Sequence, residues 1–230
     1  MNKTKGTQIS ELGEFGLIER LTRTLPKHNA SSLTAAGDDA AVIDLGDEAL
    51  LLTTDMLTEG IDFDLSYFPL KHLGYKAVVR GVNDILAMNG TPQQIVVALG
   101  ISAKIMVEAL DELYEGMRTA CDELGVDIVG GDTTASLTGL TITITAIGRA
   151  KKEDIVYRTG AREHDLICIT SNLGAAYMGL HLLEREKRVL KDVANPEPKF
   201  AGYEYLLERY LKPRARKGVL DALREEGIRP

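Results

Sequence analysis

Four short acidic stretches could carry chemistry in this sequence: Gly37-Asp38-Asp39, Thr53-Thr54-Asp55, Asn83-Asp84 and Gly130-Gly131-Asp132-Thr133. Each puts a carboxylate at or near the end of an expected regular element, and three of them stand beside hydroxyls or glycines. Magnesium takes hard oxygen ligands in near-octahedral geometry, keeps several waters and bridges to phosphates. Separated aspartates converging from strand ends would suit one or more such ions. The glycines let a polyphosphate approach the backbone and offer it free N–H groups. Arg158, within Tyr157-Arg158-Thr159-Gly160, is a candidate phosphate clamp because a guanidinium binds phosphate in two-pronged fashion.

Each element of this set also has a plainer reading. Asp38 and Asp39 suit a turn or a cap. Asp84 follows Arg80 by four residues, the spacing of a surface ion pair worth about 0.3–0.5 kcal/mol on a helix. Gly-Gly-Asp-Thr after a strand reads equally as a turn, and Arg158 as a solvated linker residue. Tyr114, at the edge of an apolar helical stripe, suits core packing. The stretches together admit a divalent-metal phosphate site, while singly none requires it. The sequence has no G-x-x-x-x-G-K-[ST], G-x-G-x-x-G, H-E-x-x-H or G-x-S-x-G. His28, His72, His164 and His181 are scattered and read as surface or structural residues. A nucleotide would have to be bound here without a P-loop.

The elements that must position these residues follow from hydrophobic period. Residues 11–25 have a helical apolar stripe that Pro26 ends, and 49–54 read as a buried strand. A helix starts at Pro69 and turns Leu70, Leu73, Ala77, Val78, Val82 and Ile85 inward, with Lys76, Arg80 and Asp84 on its other face. Residues 94–101 predict a strand. Met106 to Leu124 predict a helix with an inward stripe, closed by Gly125. Residues 126–129 predict a short strand opening into Gly130-Gly131-Asp132-Thr133. Strict alternation over 140–146 predicts a half-buried antiparallel strand. Residues 166–170 predict a strand, 174–188 a helix, and Asn195-Pro196-Glu197-Pro198 a linker before two helical segments broken at Pro213. A texture change at 150–160 predicts domains at 1–155 and 156–230.

Composition narrows the classes. Across 230 residues, 27 Lys plus Arg stand against 34 Asp plus Glu, a net charge of −7 and a pI near 5.2. That acidity argues against a protein held to nucleic acid by its net field. A 44% hydrophobic, 27% charged chain buries a sizeable core and is not disordered. Cys121 and Cys168 alone lack disulfide-scaffold or metal-ligand spacing and read as thiols of a reducing cytoplasm. The polar first ten residues and the lack of any apolar run of about 20 residues predict neither a signal peptide nor a membrane span.

In order and spacing, Gly37-Asp38-Asp39-Ala40-Ala41, Thr53-Thr54-Asp55, Gly130-Gly131-Asp132-Thr133-Thr134 and Tyr157-Arg158-Thr159-Gly160-Ala161 resemble thiamine-monophosphate kinase, of the aminoimidazole ribonucleotide synthetase-like superfamily. The likeness extends to Leu70-Lys71-His72-Leu73-Gly74-Tyr75-Lys76-Ala77 and to residues 173–179. It implies an α+β fold: an N-terminal domain with a mixed or antiparallel sheet packed by helices, a homodimer formed through that sheet, and the start of a second α+β domain. By position it implies magnesium at Asp39, Thr53, Thr54, Asp55, Asp84 and Asp132. It also implies ATP at Gly131, Asp132, Arg158 and Tyr114, and substrate at Asp62. The implied reaction moves the ATP γ-phosphoryl group onto thiamine monophosphate. An acceptor phosphate is already ionised near neutral pH, so no residue is expected to act as a strong general base.

Three departures qualify the resemblance. Gly60-Ile61-Asp62-Phe63 puts an aspartate where the family usually has a substrate-site histidine, and its charge would repel a phosphate unless a cation intervenes. Gly81-Val82-Asn83-Asp84 differs from the family's usual helix motif. The family also continues past the equivalent of Pro230 with an Ile-Ser-Asp-Gly segment, so the chain is expected to be a fragment or a shortened gene product, with exposed apolar surface over 160–230. Two alternatives stay open: another ATP-dependent enzyme of the superfamily, or a shortened, non-catalytic nucleotide-binding homolog.

Overall fold

A computed structural model describes residues 6–34, 36–193 and 197–228. Its elements in chain order are α1 (Ile9–Thr22), β1 (Ala41–Asp44), β2 (Glu48–Thr58), α2 (Leu70–Ala87), β3 (Thr91–Ser102), α3 (Val107–Leu124), β4 (Asp127–Ser136), β5 (Thr141–Lys151), α4 (Ala175–Leu190), α5 (Glu204–Leu211) and α6 (Lys217–Glu225). The five strands form one mixed sheet in the order β1-β2-β5-β3-β4. All neighbours are antiparallel except β3 and β4, which run parallel and are joined through α3. Mixed α+β architecture is thus as the sequence implied.

Alternation places the odd residues of β2 and the even residues of β5 inward. Ala49, Leu51, Leu57, Ile142, Ile144 and Ala146 are buried on this face, where α2 lies. The opposite face is left uncovered: Thr54 and Thr145 bond hydroxyl to hydroxyl at 3.2 Å on it, and Met56 is 59% exposed. Helix α3 packs against α2 through two glycines. A Cβ on Gly74 would lie 1.9 Å from the Leu113 carbonyl oxygen, and one on Gly116 would lie 1.8 Å from that of Lys71. Each helix accepts a carbonyl of the other in the space where a side chain would stand. Gly125 closes α3 with φ +70°, the left-handed conformation that glycine adopts at least cost.

Several local expectations fail for physical reasons. The helix over 11–25 ends earlier and kinks at Gly13 (φ +66°). It buries nothing, with Phe15 73% exposed, because no element lies over its stripe. Met106 does not turn inward; it caps α3 exposed. Gly130-Gly131-Asp132-Thr133 is not a turn: β4 runs straight through it, and a Cβ on Gly131 would meet the Val97 carbonyl oxygen at 2.0 Å. Its glycine is required by the neighbouring strand, whatever else it does. Residues 166–170 form no strand. Leu166 and Ile167 are 90% and 96% exposed, since no neighbouring strand offers its hydrogen-bonding edge. The expected apolar surface in this part of the chain is therefore present. Asn195 and Pro196 of the expected linker lie outside the described residues. Among those described, no helix is long and apolar enough to cross a membrane.

Residues beyond 155 dock on the first part through polar contacts. The Tyr67 hydroxyl donates to Glu184 at 2.7 Å, and Lys187 pairs with Asp64. From α6, Arg224 donates to the Asn89 and Gly90 carbonyl oxygens at 2.6 and 3.0 Å, meeting the negative end of α2. Lys76 stands over the rings of Tyr210 (4.1 Å) and Phe68 (5.0 Å). Burial, and then the nearby Arg80 charge, push its pKa down to about 8. The unfolded chain therefore binds more protons than the native one between about pH 8 and the ordinary value of 10.5, so this residue makes stability rise with pH across that window. Urea midpoints measured from pH 7.5 to 10.5 should climb more steeply for wild type than for Lys76→Met. Parallel curves would contradict the burial of the charged ammonium.

Candidate functional site

The acidic residues gather where α2 crosses β2. Thr53, buried on the helix-facing side of β2, donates its hydroxyl to Asp84 Oδ2 at 2.9 Å, one turn before the end of α2. Burial raises the Asp84 pKa, and the charges of Asp55 and Asp39 raise it further; the Thr53 hydrogen bond and Arg80 pull the other way. Asp55, two residues along β2 from Thr53 on the same face, forms an ion pair with Arg80, Nε lying 3.3 Å from Oδ1. Arg80 leaves α2 one turn before Asp84 and also gives Nη1 to Asp62 Oδ1 at 2.8 Å. On the other flank, the loop before β1 brings Asp38 and Asp39 to Arg158. Its guanidinium pairs with Asp39, and its backbone N–H lies 3.2 Å from Asp38 Oδ2. The Asp39 hydrogen bond and charge raise the Arg158 pKa, and the charges of Asp38 and Asp84 add to them.

The result is a row of acids with an arginine toward each end: Asp62, Arg80, Asp55, Asp84 with Thr53, Asp39, Arg158. Of the residues expected at a metal, the structure brings together Asp39, Thr53, Asp55 and Asp84. Thr54 turns its side chain to the other face of the sheet, as strand alternation demands once Thr53 faces α2. Asp132 stands apart as well. The register line from Asp55 runs through Ile144 and Val97 to Gly131, three strand spacings or roughly 14 Å away. Asp132, the next residue, pairs with Ala98 and lines a cleft of about 330 Å³ with Thr134, Thr141 and Thr143, on the face that α2 leaves open. Tyr114 lies half-buried on α3 against the core.

Oxygen donors alone, with one of them buried among like charges, fit a hard divalent cation such as magnesium. Among the described residues no three carboxylate, imidazole or thiol side chains already stand close enough to hold one. Two of the carboxylates are instead engaged by Arg80 and Arg158, which would have to swing away.

Sequence reasoning named Arg80 only as a surface partner of Asp84. In the fold it reaches across to Asp55 and Asp62, and the readable signal was the stripe Lys76, Arg80, Asp84 at four-residue spacing on α2. The pairing also answers the first departure, since the negative charge of Asp62 is offset within the site.

Comparison with known proteins places the chain among related sequences and folds. Residues 37–150 match the family described as AIR synthase related protein, N-terminal domain. Thiamine-monophosphate kinase of Aquifex aeolicus (strain VF5) is 32% identical over 210 residues, covering 91% of this chain and 62% of the relative. The enzyme of that name from Bacillus subtilis (strain 168) is 30% identical, covering 90% and 62%. A solved structure of AaThiL complexed with AMPPCP and TMP superposes with a TM-score of 0.79 at 31% identity, covering 96% of this chain and 65% of that one. The chain thus spans about three fifths of the length of the curated relatives it matches. The AIR synthase related match spans the sheet and α2, which carries part of the acidic row, and over most of its length the chain is similar to thiamine-monophosphate kinases.

Proposed function

We propose that the chain carries the nucleotide and metal site of an enzyme that phosphorylates thiamine monophosphate from ATP, yielding thiamine diphosphate. The observation that carries this reading is the half-buried row of Asp84, Thr53, Asp55 and Asp39 flanked by two arginines, in a chain similar to kinases of that name. Asp39, Thr53, Asp55 and Asp84 would hold magnesium. When bound, the metal would neutralise charge on the transferring phosphoryl group. Arg158 would leave Asp39 to clamp the nucleotide phosphates. An oxygen of the acceptor phosphate attacks Pγ as the bond from Pγ to the β-bridging oxygen breaks, and ADP leaves with the electron pair. No proton has to be removed from an ionised acceptor, in keeping with a site that has no histidine.

The same reading divides the chain into an ATP- and metal-binding domain over 1–155 and the start of a second α+β domain over 156–230. It makes the protein a cytoplasmic homodimer joined through the uncovered sheet face. Gly131 and Asp132 lie on the strand that borders that face, so their expected ATP and metal contacts would sit near the subunit junction. Supporting the dimer are exposed Met56 and the exposed Thr54–Thr145 pair in the middle of the sheet. Titrating a panel of phosphorylated small molecules into the chain with Mg²⁺ and a non-hydrolysable ATP analogue tests the substrate. Thiamine monophosphate is expected to bind best, and stronger binding of another member would replace it as the acceptor.

A further inference from the structure

The end of the acidic row opposite Arg158 is built around one side chain whose partners exceed what an ordinary ion pair requires. Arg80 donates Nη1 to Asp62 Oδ1 at 2.8 Å and forms an ion pair with Asp55, its Nε 3.3 Å from Oδ1, so two carboxylates hold one guanidinium. Asp62 is itself fixed. Its Oδ2 accepts the Thr58 backbone N–H at 2.9 Å, and its carbonyl oxygen accepts the Tyr210 hydroxyl at 3.3 Å. The side chains of Asp55 and Asp62 are 19% and 22% exposed against 43% for Arg80. The carboxylates therefore grip the guanidinium from the inner side while its outer edge faces solvent. Asp55 meets Nε and Asp62 meets Nη1, so neither of these shortest contacts uses Nη2.

One turn earlier on the same stripe of α2, Lys76 is held over the Tyr210 and Phe68 rings and forms no ion pair among the described residues. Its charge acts on both Arg80 and Asp62. Transfer between two phosphates needs cationic groups on both sides of the metal-binding carboxylates, since donor and acceptor are both anions. With Arg158 on the Asp39 flank, the Asp55 flank is served by Arg80, with Lys76 behind it. A planar fork already oriented by two carboxylates loses little freedom on taking a third anion. A cation at Asp55 would loosen one of the two existing holds and free Nε as well.

We propose that Arg80 binds the phosphate of the acceptor and makes the site specific for a phosphomonoester over the unphosphorylated alcohol; this rests on the phosphotransfer reading above. The test is calorimetric titration of thiamine monophosphate and of thiamine into wild type, Arg80→Met and Arg80→Lys, with Mg²⁺ and a non-hydrolysable ATP analogue present. Arg80→Met should bind thiamine monophosphate about 10- to 100-fold more weakly, as expected for losing hydrogen bonds to a charged group. Affinities for thiamine and for the ATP analogue should stay within twofold. Arg80→Lys, which keeps the charge but loses the fork, should weaken thiamine monophosphate several-fold and guards against misfolding of the first variant. Wild-type affinity for thiamine monophosphate in either variant overturns the inference. Should wild type prefer another phosphomonoester, the kinase reading fails, and Arg80 is judged by whether its variants lose that ligand instead. Wild type that binds no phosphomonoester overturns both.

Discussion

Asp84→Asn is expected to make the ligand-free protein more heat-stable at neutral pH while removing its response to Mg²⁺. The carboxyl is half-buried and near the charges of Asp55 and Asp39, so its pKa in the native state lies above the ordinary 3.8. The native state then holds this proton more tightly than the unfolded chain does, and stability falls as pH rises from about 3.8 through the raised value. Above that window the whole of that cost is present. Asparagine keeps an oxygen that accepts the Thr53 hydroxyl and removes the charge. The melting temperatures of variant and wild type should converge at low pH and separate above the window, with the variant higher. Magnesium reverses the order. A ligand that binds only the native state at 100 times its dissociation constant adds about 2.7 kcal/mol to wild type, and the variant should gain almost nothing. Metal-dependent turnover should fall on the order of 100-fold or more. A variant that is less stable at pH 7 and still responds to Mg²⁺ would show that Asp84 is a structural residue.

Gly74→Ala is expected to cost about 3 kcal/mol or more, the upper range for forcing atoms into a packed interior. A Cβ 1.9 Å from a carbonyl oxygen cannot be relieved by a side-chain rotation, because the obstacle is the backbone of α3. Helix α2 would have to lift from α3, and α2 carries Lys76, Arg80 and Asp84. Activity should therefore fall with stability even though position 74 touches no ligand-binding group. Thermal denaturation should show a midpoint lowered by roughly 6–12 °C, at about 2–4 °C per kcal/mol for a chain of this size. Gly218→Ala on α6 is the control. Nothing lies within 4 Å of its Cβ, and alanine favours a helix, so its midpoint should be unchanged or slightly raised. Equal midpoints for the Gly74 variant and wild type would contradict the close approach of the two helices.

Much of the architecture was legible because period is a local property. The inward faces of α2 and β5 followed from apolar spacing alone, as did the Gly125 cap. What was not legible depended on neighbours distant in sequence. Residues 166–170 have the composition of a strand, but a strand exists only beside another, and none is placed there. Likewise Gly130-Gly131 looked like a turn because glycine usually marks one, whereas Gly131 serves the close approach of Val97 on the adjacent strand. Within the site, Asp39, Thr53, Asp55 and Asp84 could be named in advance, and they lie along one row where α2 crosses β2. Thr54 and Asp132 could be named as readily, yet strand alternation and the order β1-β2-β5-β3-β4 keep their side chains away from that cluster. The link from Arg80 to Asp62 escaped notice because it joins a helix to a turn 18 residues earlier, and the i,i+4 spacing to Asp84 offered a nearer partner.

The most direct test of phosphoryl transfer at this site follows the γ-phosphate itself. The chain is incubated with ATP labelled at the γ-phosphate, thiamine monophosphate and Mg²⁺, and the products are separated by chromatography. Label appearing in thiamine diphosphate, dependent on Mg²⁺ and lost in Asp84→Asn, is the expected result. Label that stays in ATP, or that passes to a different phosphorylated acceptor in preference to thiamine monophosphate, would contradict the assignment.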